Sequence, residues 1–263
     1  MPFPFGLTWR KIRRVWVGAG IVFMIVFFGW LYFGNRATSR AHEALKSDDA
    51  VAITVGDQGM TFHPLNSTQP VGLIFFPGGL VEPAAYAPLA RAVAENGYEA
   101  RIVYLPLRGA FGGADGDEMV QLTNSAMDTD APRDGWVLAG HSKGATIAAK
   151  MAHLMPQSIA GLILIGTTHP RDFSLAQATY PITKIFGTRD GIATFEAMEK
   201  NRHLLPTSTR WVAIEGGNHS QFGRYGFNMG DRFASIDAEE QQQETIDAIL
   251  ESLRKIPEKK KTP

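Results

Sequence analysis

After Ala50, short apolar runs alternate with amphipathic stretches, the pattern of parallel strands covered by helices. Residues 51–55 and 60–64 predict an opening strand pair joined at Gly56-Asp57-Gln58-Gly59. Residues 71–76 read VGLIFF, apolar at consecutive positions, which predicts a strand buried on both faces. Further strands are predicted at 100–104, 136–139, 162–165, 182–186 and 211–214. Helices fit 83–96, with Pro83 suited to a first turn and Gly97 to an end, and then 117–126, 143–154, 193–204 and 238–255. No repeat of fixed period is visible. The connection 166–181 is too short to hold a large helical cap.

The amino end breaks this pattern. From Val15 to Phe33 the chain carries no charge, over a length close to the roughly 20 residues that cross a hydrocarbon core. Trp9 and Trp16 lie near one end and Trp30 and Tyr32 near the other, where aromatic rings favour the interface. The Arg/Lys-rich flank before Val15 predicts a cytoplasmic amino terminus with the body outside. A cleaved signal peptide is the competing reading. Its apolar core usually runs about 7–15 residues and ends in small residues, and Leu31-Tyr32-Phe33 is a poor lead into cleavage. The organisation expected is a basic terminus (1–14), an anchor (15–33), a polar stalk (34–49), one domain (50–256) and a Lys-rich tail (257–263) in a cell membrane.

Charge and composition narrow the chemistry. Lys plus Arg equals Asp plus Glu at 26 each, yet seven of those cations sit at the two ends, so the body is net acidic and has no electrostatic footprint for nucleic acid. There is no cysteine, which excludes a thiol nucleophile, a disulfide framework and a thiolate metal site. Asp115, Asp117 and Glu118 lack the spacing of a calcium loop and fit a solvated helix start. Arg108 to Gly116 is a glycine-rich loop without the Gly-Lys-Ser/Thr ending of a phosphate loop. Neither metal nor cofactor is expected.

The segment Gly140-His141-Ser142-Lys143-Gly144 sets a serine between a predicted strand and a predicted helix, with glycines leaving room for a sharp turn. A serine hydroxyl needs a base, and His219 follows the strand 211–214 in the Gly-rich stretch Gly216-Gly217-Asn218-His219. Asp190, after the strand before it, suits the carboxylate that orients the imidazole; Asp172 is the main competitor, and Glu215 fits a loop-structuring acid. Oxyanion donors are expected from the Lys143 amide and from Gly79 or Leu80 in Phe76-Pro77-Gly78-Gly79-Leu80. The Lys143 side chain either points to solvent or pairs with Glu82 or an anionic substrate group. Tyr225, Phe227 and Met229 fit an acyl pocket or a core cover equally.

The order Ser142, Asp190, His219 and these motifs resemble the α/β-hydrolase superfamily over about residues 50–255. More narrowly, Phe75 to Val81 with Ala85-Tyr86, Gly140 to Gly144, Gly187 to Gly191 and Gly216 to Gly223 look like a bacterial, membrane-anchored dienelactone-hydrolase-like branch. The resemblance implies an α/β fold with a mostly parallel eight-stranded sheet, helices on both faces and the same three residues as a triad. Lys143 and Ala145 depart from that branch, where Leu and Gly are more usual. Glu82, Tyr86 and Phe222 are the positions expected to touch substrate. The expected function is a membrane-anchored serine hydrolase acting on a small ester or lactone; the alternatives are a catalytically silent binding protein on the same fold and an acyltransferase.

Overall fold

The alternating runs form one eight-stranded sheet in a computed structural model, which describes residues 8–110, 116–128 and 134–257. The strands are β1 (Val51–Val55), β2 (Gly59–Pro64), β3 (Val71–Phe76), β4 (Ala100–Val103), β5 (Gly135–His141), β6 (Ile159–Ile165), β7 (Ile182–Gly187) and β8 (Arg210–Ile214). Their order is β1-β2-β4-β3-β5-β6-β7-β8. The β1–β2 and β2–β4 pairs are antiparallel and the other five are parallel. From β3 the chain moves outward to β4 and then returns to place β5 on the other side of β3. This reversal opens a crevice at the carboxyl ends of β3 and β5, where ligands of such sheets bind.

The helices are α1 (Trp9–Gly34), α2 (Ser39–Glu43), α3 (Ala87–Glu95), α4 (Asp117–Met127), α5 (Lys143–Leu154), α6 (Phe195–Glu199) and α7 (Ala238–Arg254). The continuous apolar run of β3 has the cause expected of it, because all six residues are buried. Leu73 and Phe75 join a core with Leu89 and Val93 of α3 and Ile249 and Leu253 of α7. Ile74 and Phe76 join the opposite core with Ile147 and Met151 of α5. Each such side chain, fully buried, contributes about 1.5–3 kcal/mol. Four alanines of α5 (Ala145, Ala148, Ala149 and Ala152) are buried, and their small side chains let the helix lie close on the sheet. Asp117 and Glu118 occupy the first turn of α4, where acids favour the helix dipole.

Three segments depart from the sequence-based expectation. Residues 83–96 divide into a tight turn over Pro83–Tyr86 followed by α3. The single helix expected over 193–204 is the short α6 and a separate turn at Arg202–Leu204. Between them the Asn201 amide donates to the carbonyls of Thr168 and Ala197, competing with continued helix. The polar stretch 34–49 is docked on the domain and is no free stalk. Ala41 is fully buried, and Arg91 reaches the Ala44 carbonyl at 3.0 Å and Asp48 at 2.7 Å. Residues 111–115, 1–7 and 258–263, and with them Asp115 and most of the expected tail, lie outside the described residues.

Candidate active site

Between β5 and α5 stands a single residue, Ser142, with φ 54° and ψ −117°. A side chain with a Cβ is strained there, so the corner is held by its surroundings. The Ser142 amide donates to the Ile165 carbonyl at 2.9 Å, and its carbonyl accepts from Thr146 at 3.2 Å. Both flanking glycines are required by close approach. A Cβ on Gly144 would sit 1.9 Å from the Phe76 carbonyl oxygen, and one on Gly140 would sit 2.4 Å from the Gly144 carbonyl carbon. Ser142 stays half-buried.

Asp190 follows β7 and His219 follows β8, and both are buried. His219 Nδ1 and Asp190 Oδ2 are 2.8 Å apart. The other carboxylate oxygen accepts from the amides of Ile192 at 2.8 Å and Ala193 at 2.6 Å, which fixes the carboxylate plane. With Nδ1 donating to the carboxylate, His219 Nε2 is the nitrogen left to take a proton. It is buried and makes no hydrogen bond among the described residues. The loop that carries His219 is pinned by Asp231, which accepts from the Ser220 amide and hydroxyl at 2.8 and 2.7 Å, and by Gln241, bonded to both backbone ends of Asn218. Asp172, the alternative acid, lies in the loop after β6; His219 takes Asp190.

A serine at a strained strand-to-helix corner, followed in chain order by an acid and a histidine on the next rims, is matched by sequence. The chain matches the Alpha/beta hydrolase family over residues 72–244. It belongs to that family. No curated protein matches it by sequence. Among solved structures this alpha/beta hydrolase is similar to Est1E from Butyrivibrio proteoclasticus with bound ferulic acid (14% identity, TM-score 0.56, 80% of this chain and 98% of the other). It is also similar to the carboxylesterase CesB from Bacillus subtilis (10% identity, TM-score 0.54, 87% and 97%). A third is a thermophilic esterase from Thermogutta terrifontis (14% identity, TM-score 0.52, 80% and 99%). At these identities the likeness is one of fold.

In this alpha/beta hydrolase two of the expected substrate-contacting residues support the site from behind. Tyr86 and Phe222 are each 1% exposed. The Tyr86 hydroxyl accepts from the Gly78 amide at 3.1 Å and donates to His141 Nδ1 at 2.8 Å. Phe222 packs its ring 5.4 Å from that of His141. The sequence motif assigns His141 no role, yet it is the residue next to Ser142 and its ring centroid lies 4.5 Å from that of His219. Burial, and then the neighbouring His219, hold its pKa well below the usual imidazole value, so it is a neutral spacer. A polar residue inside the otherwise apolar β5 was the available signal. Gly166, at φ 53°, lies under both imidazoles. A Cβ there would be 3.2 Å from His141 Nε2 and 3.3 Å from His219 Nδ1.

The turn after β3 also differs in detail. The Leu80 amide donates to the Arg108 carbonyl at 2.7 Å, so that group is committed, and the Leu80 side chain is exposed. Gly79 faces Lys143, whose Cβ would be 3.3 Å from a Cβ on Gly79, so the stem of Lys143 runs beside the turn. Glu82 does not serve Lys143 or the crevice. Its carboxylate accepts from the Ala37 amide at 2.9 Å and faces His42 at 3.6 Å and Arg36 at 3.9 Å. Tyr225 is buried on the core side, and Met229 is exposed.

Two further titratable groups stand behind the loop after β6. His169 Nδ1 is 3.1 Å from the Thr146 hydroxyl, and burial brings its pKa down to about 4. The Lys184 ammonium, fully buried, donates to the His169 carbonyl at 2.8 Å and faces the Trp211 ring at 5.4 Å, and burial lowers its pKa to about 7. Among the described residues no group of three or more His, Asp or Glu side chains is placed to hold a metal.

Proposed function

We propose that this alpha/beta hydrolase is a membrane-anchored serine hydrolase that cleaves a carboxylic ester or lactone through an acyl-enzyme. The observation that carries the reading is the strained Ser142 corner beside the buried His219–Asp190 pair, the ring of the adjacent His141 lying 4.5 Å from that of His219. Ser142 Oγ attacks the substrate carbonyl as its proton passes to His219 Nε2. Asp190 holds the tautomer and stabilises the imidazolium. The developing oxyanion is received by the Lys143 and Gly79 amides, donors worth about 2.7–4 kcal/mol each where such groups have been removed elsewhere. Leu80 is not assigned this role, because its amide serves Arg108. Collapse breaks the acyl C–O bond and His219 protonates the departing oxygen. Water, deprotonated by His219, then attacks the acyl carbon and restores Ser142.

The esterases among its structural neighbours support ester chemistry, and the motif likeness to dienelactone hydrolases brings lactones within the class. The anchor reading rests on α1, whose apolar part has a mean hydropathy of 2.1 and no buried residue. The Arg/Lys flank orients it with the catalytic domain outside the cytoplasmic face. A fluorophosphonate probe tests the mechanism: it should label wild type at Ser142, fail on Ser142→Ala and react much more slowly with His219→Ala. A folded preparation that does not label overturns the reading.

A further inference from the structure

The apolar stretch of α1 ends at Phe33, and the next residue is already bonded to the catalytic domain. The Gly34 carbonyl accepts from the Gly226 amide at 2.9 Å, the Asn35 carbonyl from the Glu82 amide at 2.8 Å, and the Thr38 amide donates to the Arg224 carbonyl at 2.9 Å. The approach is tight, since a Cβ on Gly226 would lie 2.6 Å from the Gly34 oxygen. As a free linker, residues 34–49 would let the domain stand off by up to about 50 Å. Docked this way, no slack is left. The two receiving segments are the turn after β3 and the loop after His219, both on the rim that holds Ser142.

That rim is unusually apolar for a surface in water. Leu107 is 70% exposed, Met229 62% and Phe233 77%, and Leu80 and Ile192 stand beside them. Two pairs on it are joined by backbone contact: Leu80 bonds Arg108, next to Leu107, and Gly191, next to Ile192, touches Gly230, next to Met229, closely enough that a Cβ would meet its oxygen at 2.7 Å. Exposed Arg36, Arg108 and Arg189 are interspersed with it, the mixture that suits an apolar layer capped by anionic headgroups. Of the acids on this rim, Glu82 is taken by Arg36 and the Ala37 amide and Asp231 by Ser220, while Asp172 is exposed.

We propose that this rim rests on the leaflet into which α1 runs, and that the ester entering the Ser142 crevice is an acyl ester of an amphiphile resident in that leaflet. The proposal rests on the anchor and hydrolase readings above and names the substrate class for them. Leu107, Met229 and Phe233 then partition into the interface, and Leu80 and Ile192 line the path from it.

The chain has no cysteine, so single labelled cysteines report position cleanly. The full chain would be reconstituted in vesicles of phosphatidylcholine and phosphatidylglycerol containing a doxyl-quencher lipid. An environment-sensitive fluorophore would be placed at Met24→Cys, Leu107→Cys, Met229→Cys, Phe233→Cys or Ser158→Cys. Ser158 is exposed at the far end of β6, roughly 20 Å of strand from the rim. Labels at 24, 107, 229 and 233 should lose most of their emission and the label at 158 should keep it. Quenching at 24 without quenching on the rim overturns the proposal and leaves the anchor standing; no quenching at 24 overturns both. Rim emission that follows protein density, independent of quencher, would report a second copy on the patch and overturn it too. In the activity arm, Leu107→Glu/Phe233→Glu should lower turnover of a vesicle-borne acyl ester by about tenfold or more, since each buried side chain of this size is worth more than that factor in partitioning. Turnover of a short water-soluble ester should be unchanged, and equal loss on both substrates overturns the proposal. Failure of Ser142 to label would refute the hydrolase reading separately.

Discussion

Replacing Tyr86 by phenylalanine removes one oxygen and leaves the ring in place. That oxygen accepts from the Gly78 amide and donates to His141 Nδ1, and the residue is 1% exposed, so both partners are left buried and unpaired. An unsatisfied buried polar group costs about 1–3 kcal/mol, which for the two groups puts Tyr86→Phe at about 2–6 kcal/mol of lost stability. Tyr225 is an internal control. Its ring lies 6.4 Å from that of Tyr86 and its hydroxyl is equally buried, with no partner among the described residues. Tyr225→Phe therefore breaks no bond and relieves a desolvated hydroxyl, so its effect should lie between zero and a gain of about 1 kcal/mol. Urea unfolding of the full chain in detergent micelles, followed by the fluorescence of Trp136 and Trp211, measures both, and m should stay constant. Because Gly78 precedes the proposed oxyanion donor Gly79, Tyr86→Phe should also slow fluorophosphonate labelling. Equal losses in the two variants, or a Tyr86→Phe change under about 0.5 kcal/mol, would refute the assignment of that hydroxyl.

Gly144→Ala drives a methyl into the Phe76 and Pro77 carbonyls, at 1.9 and 2.4 Å, and should cost about 4 kcal/mol or more and abolish labelling, as read by thermal denaturation and probe uptake. Asp190→Asn keeps the shape of the site but no longer stabilises the imidazolium; ester turnover should fall about 10³–10⁴-fold in steady-state assays with little change in unfolding free energy. Lys184, its pKa lowered to about 7, binds fewer protons folded than unfolded from about pH 7 to its ordinary value near 10.5, so its contribution raises stability with pH across that window and is flat below it. The stability of Lys184→Met relative to wild type should accordingly decline from pH 7 to 10, by up to about 1.4 kcal/mol per pH unit in urea titrations. His169, lowered to about 4, adds acid sensitivity, with stability falling as pH drops from about 6.5 towards 4, and His169→Gln should flatten that limb. Gly226→Val should part α1 from the domain, so that trypsin cuts after Arg36 and Arg40 faster than in wild type while Ser142 labelling persists; unchanged cleavage would show the junction to be loose already.

The strands were legible because their burial is written in single residue types. All six positions of β3 are apolar and all six are buried, and the helix after Ser142 carries its alanines on the buried face. The chain order of Ser142, Asp190 and His219 was legible because each stands directly after a readable strand. The supporting chemistry was hidden because it depends on partners far along the chain. Tyr86 reads as a substrate-touching motif residue until His141, 55 positions away, is found on its hydroxyl. Leu80 and Gly79 are indistinguishable as oxyanion donors until Arg108 claims one of the two amides. Asp231 and Gln241 hold the His219 loop from a polar stretch and from a helix face, and neither has a local pattern that announces it.

The amino-terminal junction was least legible for a more specific reason. Part of its adhesion is backbone to backbone, through Gly34–Gly226, Asn35–Glu82 and Thr38–Arg224, and such bonds leave almost no mark on residue choice beyond a glycine. Composition therefore described a polar spacer. The structure instead docks 34–49 on the domain, and this changes what the fold can do. A hydrolase on a long tether samples solutes around it, and its crevice can face any direction. A hydrolase whose amino-terminal helix is bonded to the turn after β3 and to the loop after His219 has the direction of its crevice fixed relative to that helix. Glu82 is the clearest case: expected to meet substrate, it instead caps the Ala37 amide and faces Arg36 and His42, spending its charge on holding that direction.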